Sequence, residues 1–112
     1  MKWNHAINDF KDYLKIERGL SKNSVSSYEN DLKKLKSFLN KGNTTIKPID
    51  VTPDNVKEFV YFISKNVKPN SQSRIISGIR SFYEYLMFEK LIKINPVSNI
   101  ESPKLQRKLP ST

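Results

Sequence analysis

The sequence predicts an all-α fold, a small bundle of four main helices. Two observations predict it. Apolar residues recur at three- and four-residue spacing in four separate stretches, and capping residues, glycines or prolines bound those stretches. In the first, Trp3, Ile7, Phe10 and Leu14 share one face, with Ala6 and Tyr13 beside them, which predicts a helix over roughly residues 2–17. Gly19 supplies the left-handed residue that stops it, and Leu20 can pack back onto it. Ser21 is then a candidate N-cap. Val25, Tyr28, Leu32, Leu35 and Leu39 give a second, longer helix ending near Gly42. Asn43 to Val51 has no apolar period and reads as a loop. Thr52-Pro53-Asp54 is a start signal: a cap, a proline in the first turn, and an acid favoured by the helix dipole. Val56, Phe59, Val60 and Ile63 carry the third helix. The fourth, Asn70 to Lys90, is marked by Ile75, Ile79, Phe82 and Leu86, widened by Ile76 and Tyr83. Asn70 or Ser71 can cap it, with Pro69 blocking extension backwards. Asn95-Pro96 starts a short fifth turn at most. From Glu101 the chain is basic, proline-bounded and aperiodic, as an extended linker is. Residues 1–100 thus read as one domain and 101–112 as a linker.

The chain has 112 residues, enough for one domain, and 37% of them are hydrophobic. Its net charge is +9, which calls for an anionic partner, most simply nucleic acid. No apolar run spans a bilayer and no signal peptide stands at the start, so a cytoplasmic protein is expected. With no cysteine there is no disulfide or thiolate chemistry, and the single histidine, His5, cannot build a His-rich metal site. No cofactor, metal or small-molecule substrate is expected. His5 reads as an exposed residue with no carboxylate near it.

The polar face of the fourth helix is unusual. It carries Ser73, Arg74, Ser77 and Ser81, with Gly78 and Arg80 on its flanks. A helix needing only solubility carries Glu/Lys pairs instead. Short polar residues let another surface come close, and an arginine reads phosphates or guanine edges with a planar fork. The second helix repeats the theme with Lys22, Asn23, Ser26, Ser27 and Asn30. Between Glu58 and Glu84 there is no acid, while Lys65, Lys68, Arg74 and Arg80 lie in that span. The second and fourth helices are therefore expected to share one basic surface. Lys33, Lys34 and Lys36 read as a solvated run. The aromatic residues Phe10, Tyr28, Phe38, Phe59, Phe82 and Tyr83 read as core, not as a base-stacking platform.

These segments resemble the N-terminal core-binding, SAM-like domain of tyrosine recombinases of the Xer and phage-integrase type. The resemblance rests on Phe10 to Leu14 with Glu17-Arg18-Gly19-Leu20-Ser21, on Ser24-Val25 with Tyr28 and Asp31-Leu32, and above all on Arg74 through Leu86, Asn95-Pro96 and Ser102-Pro103-Lys104. It covers nearly the whole chain. The resemblance implies a domain that clamps double-stranded DNA opposite a C-terminal catalytic domain. The catalytic arginines, lysine, histidines and tyrosine of such proteins would all follow Thr112, so this chain alone is not expected to be an enzyme. Lys22, Asn23, Ser26, Ser27, Asn30, Ser73, Arg74, Ser77, Arg80 and Ser81 are then candidate DNA contacts. Lys104, Arg107 and Lys108 join them as the linker crosses the duplex. Other recombinase protomers are expected partners on DNA, and a monomer is expected off it. The alternative reading is a helical protein-interaction module whose basic charge is incidental.

Overall fold

The structure, a computed structural model, describes residues 2–40 and 46–97. Four helices follow one another: α1 (Trp3–Ile16), α2 (Lys22–Leu39), α3 (Pro53–Asn66) and α4 (Pro69–Phe88). Among the described residues there is no strand. No helix among them is long and apolar enough to cross a membrane.

The stops are local chemistry. Gly19 takes φ +63°, the left-handed conformation glycine adopts without a Cβ penalty. Leu20 N–H then bonds the Leu14 carbonyl at 3.1 Å, folding the chain back under α1. The Ser21 hydroxyl accepts from Ser24 N–H at 3.2 Å and starts α2. Thr52 and Asn55 form a reciprocal capping box, each side chain accepting from the other's backbone N–H, with Pro53 at the first helical position. α2 ends at Leu39 with Asn40 as its C-cap; Gly42 lies outside the described residues.

Two sequence expectations are corrected. α4 is not capped by Asn70 or Ser71. It begins at Pro69, with Lys68 in the cap position and no side-chain cap. A proline in the first turn gives up an N–H that has no helical partner anyway, so it opens the helix rather than standing ahead of it. The second correction concerns the described part of the supposed loop. Pro48–Asp50 is a 3₁₀ turn, and Pro48 and Val51 are buried. The Trp3 indole N–H donates to the Ile46 carbonyl at 2.7 Å, and the buried Tyr83 hydroxyl donates to the Pro48 carbonyl at 3.0 Å. Large rings thus carry polar handles that hold an aperiodic segment over the core.

All four helices, Val51 and Val97 contribute to one core, closed within this chain. Phe10, Leu32, Leu35, Phe59, Ile79, Phe82, Tyr83 and Leu86 lie at its centre. Tyr28 and Phe38 are only half-buried at its edge; Tyr28 meets Phe10 edge-on, with centroids 5.9 Å apart. Beyond α4, Asn95 accepts from Val97 N–H at 2.9 Å, a side-chain turn that seats Val97 in the core. Any turn of helix beyond Val97 lies outside the described residues.

Candidate nucleic-acid interface

α2 and α4 meet along their N-terminal halves, and the meeting is close because Gly78 has no side chain. A Cβ on Gly78 would lie 2.7 Å from Asp31 Oδ2 and 3.3 Å from Tyr28 Cδ1. Where they meet, Ser24, Ser27, Tyr28, Asp31, Arg74, Ser77 and Gly78 line an open depression of about 250 Å³. Three sequence-predicted contacts, Ser27, Arg74 and Ser77, are thereby brought together from two helices. Asn23 and Asn30, one turn either side of Ser27, extend its exposed strip along α2. Ser26 and Lys22 are exposed further round the same helix. On α4, Ser81 follows Ser77 by one turn and is half-buried, as are Ser73 and Arg80 on the opposite flank. Lys104, Arg107 and Lys108 lie outside the described residues.

The floor of the depression is the feature the sequence reading did not single out. Asp31 is sealed, its side chain only 2% exposed, while that of Arg74 is 53% exposed. Arg74 Nη1 stands 3.3 Å from both Asp31 oxygens. Burial pushes the Asp31 carboxyl above its ordinary value, and the opposing pull of Arg74, helped by Lys34, does not fully reverse it. The signal in the sequence was faint: one acid on the rim of a leucine stripe in a basic helix, 43 residues from its partner.

The other acid of α2 is also matched. Glu29 accepts from Lys11 of α1 at 3.2 Å and from Lys33 at 3.3 Å. Burial works against its charge, but the two lysines outweigh it and hold the carboxyl below its ordinary range. Lys33 is therefore not simply solvated, and Lys36 reaches Asn4 of α1 at 3.2 Å. Lys34 remains exposed. With Glu29 and Asp31 neutralised, the outward charge of α2 and of the first half of α4 is positive. His5, expected to have no carboxylate near it, stands 3.2 Å from Asp9 one turn along α1; His5 is exposed and Asp9 half-buried.

Four short helices around one core, with a basic face of small polar side chains, define an all-α domain of the SAM-like kind. The chain belongs to the family of phage integrase N-terminal SAM-like domains, whose profile matches residues 7–90. Among its relatives, it is 39% identical over 105 residues to the tyrosine recombinase XerD of Rickettsia bellii, covering 93% of this chain and 34% of that protein. It is 36% identical over 110 residues to XerD of Chlorobaculum tepidum, covering 97% and 36%. With the tyrosine recombinase XerC of Leptospira interrogans it shares 33% over 109 residues, covering 96% and 34%. The chain thus spans about a third of the length of the curated relatives it matches. No solved structure matches it.

Proposed function

We propose that this domain binds duplex DNA for a site-specific tyrosine recombinase or integrase, clamping it while a C-terminal domain outside this chain performs strand exchange. One observation carries the reading. The N-terminal halves of α2 and α4 form a single face of Ser, Asn, Lys and Arg from which both acids of α2 have been withdrawn. Such a face lets two helices approach a polyanion, with lysines neutralising phosphates and the depression facing the groove. Residues 101–112 serve as the linker, and Lys104, Arg107 and Lys108 meet phosphate as it crosses the duplex. Other recombinase protomers are partners once assembled on DNA; the isolated domain is a cytoplasmic monomer.

Strand cleavage is assigned to that C-terminal domain rather than to Tyr83 or Tyr85. Tyr83 is buried, its hydroxyl is engaged by Pro48, and burial pushes it well above the usual phenol range. Burial, then Glu89, Asp9, Asp12 and Tyr13, push Tyr85 upward too. The experiment is a titration of duplex DNA at several salt concentrations, beside incubation with supercoiled DNA. Affinity should fall steeply with salt, and no nicked or protein-linked DNA should form. A protein-interaction module with incidental charge would bind DNA without that slope or not at all. A tyrosine-linked DNA product would overturn the assignment of catalysis elsewhere.

A further inference from the structure

We propose that Asp31 is a positioning residue that makes Arg74 a reader of guanine edges in the major groove rather than a general phosphate contact. The inference rests on the DNA-binding reading above and goes further, naming what one contact reads and what aims it.

The geometry is one-sided. Arg74 gives Nη1 to both oxygens of Asp31 and, among the described residues, bonds nothing else. A guanidinium carries five N–H donors in a rigid plane. Those on Nε and Nη2 are therefore uncommitted, on a side chain that is half in solvent. The grip is fixed from behind. Asp31 sits on α2 with its side chain only 2% exposed and its Oδ2 close against Gly78 of α4. An arginine held at one end by a buried carboxylate loses much of its freedom to swivel. That is the preorganisation a directional contact needs.

The charge balance points the same way. A carboxylate 3.3 Å from the guanidinium cancels most of its field at a distance. Arg74 therefore adds little to the long-range pull on phosphates or to counterion release, which exposed lysines such as Lys22 and Lys34 supply. What the pair retains is two parallel donors. Guanine offers two acceptors, O6 and N7, on its major-groove edge, whereas adenine places an amino donor beside its N7. The short side chains of Ser24, Ser27 and Ser77 leave the approach open.

The test uses the 112-residue chain, whose core is closed within itself, and a duplex pool with a randomised central segment. Retained duplexes are sequenced, and the selected duplex is titrated across salt beside a version with the preferred G·C replaced by A·T. Wild type should select a G·C pair at a fixed position and lose about tenfold or more in affinity on its replacement. Arg74→Lys keeps the charge without the planar fork and should lose that preference. Arg74→Ala, checked by thermal melting because it leaves the buried Asp31 unpaired, should lose the preference with its salt slope unchanged. Asp31→Asn, near-isosteric and checked by thermal melting, should weaken the preference and steepen the slope by about one unit, because a bare cation has been released. A wild type without salt-dependent binding would overturn the DNA-binding reading and this inference together. Normal binding in which Arg74→Ala flattens the slope by about one unit and keeps the base preference would overturn this inference alone. So would an Asp31→Asn variant indistinguishable from wild type.

Discussion

Along α4, the N-terminal half meets α2 at a glycine, Gly78, whereas the C-terminal half is gripped by the rings of α1. Phe82 packs edge-on against Phe10 with centroids 5.4 Å apart, and Tyr85 lies 4.8 Å from Tyr13 and 5.5 Å from Phe10. At the other end, Gly78 brings the backbone onto a sealed carboxylate, and Arg74 leans over it into solvent. The aromatic half follows the rules of stability: large apolar area and favourable ring geometry. The Gly78 half departs from them. A glycine inside a helix and a buried carboxylate both cost free energy. Departures of that kind cluster where a surface has work to do, and the two costs here lie directly beneath the basic face.

Several substitutions sharpen this contrast. Phe82→Ala should be the most damaging, at about 3–5 kcal/mol, with Ile79→Ala and Leu32→Ala at about 2–5 kcal/mol, all read by denaturant unfolding. Each removes a fully buried side chain. In the N-terminal half the damaging change is an addition. Gly78→Ala should cost about 1–3 kcal/mol despite the better helix propensity of alanine, because the new methyl has only the space Asp31 occupies. In an Asp31→Ala background that cost should shrink or reverse, and a double-mutant cycle measures the coupling. Tyr83→Phe should cost about 1–2 kcal/mol by leaving the Pro48 carbonyl unpaired under the ring.

The smallest effect is in pH. Burial holds the folded Asp31 carboxyl above its ordinary value, so the native state binds this proton more readily than the unfolded one. This group therefore favours folding most below the unfolded value, and that contribution is lost as pH rises through the folded one. Arg74 on α4 and Lys34 on α2 are the charges facing it. Stability melts of wild type and Asp31→Asn from about pH 3 upward should differ by a term that grows against wild type with rising pH. A difference of the opposite sign would mean that the Arg74 pair outweighs the burial.

How much of this was legible follows from sequence distance. The stripes and stops of the helices are local, and Gly19, Ser21 and Thr52-Pro53 act as their residue types require. That α2 and α4 share a basic face was readable from their composition. The partners of that face were not. Asp31 and Arg74 are 43 residues apart, as are Trp3 and Ile46, and Tyr83 and Pro48 are 35 apart. No spacing rule joins such pairs. The buried Gln72, whose amide donates to the Val60 carbonyl at 3.3 Å, is another case: a polar residue that reads as surface and ties α4 to α3. The pairing also changes what Arg74→Ala means. The sequence suggests a purely surface substitution, but here it orphans a sealed carboxylate, so some loss of stability should accompany any loss of binding.

Ser77 avoids that ambiguity, since it is exposed and lines the depression. Ser77→Glu places a carboxylate where the backbone must approach a polyanion. The decisive measurement is the affinity of wild type and Ser77→Glu for duplex DNA across salt concentrations, beside thermal melts of both. The expected result is a wild type whose affinity falls steeply with salt, and a variant that binds far more weakly while melting at nearly the same temperature. Equal affinities at every salt concentration would make the α2–α4 face ordinary surface and contradict the account.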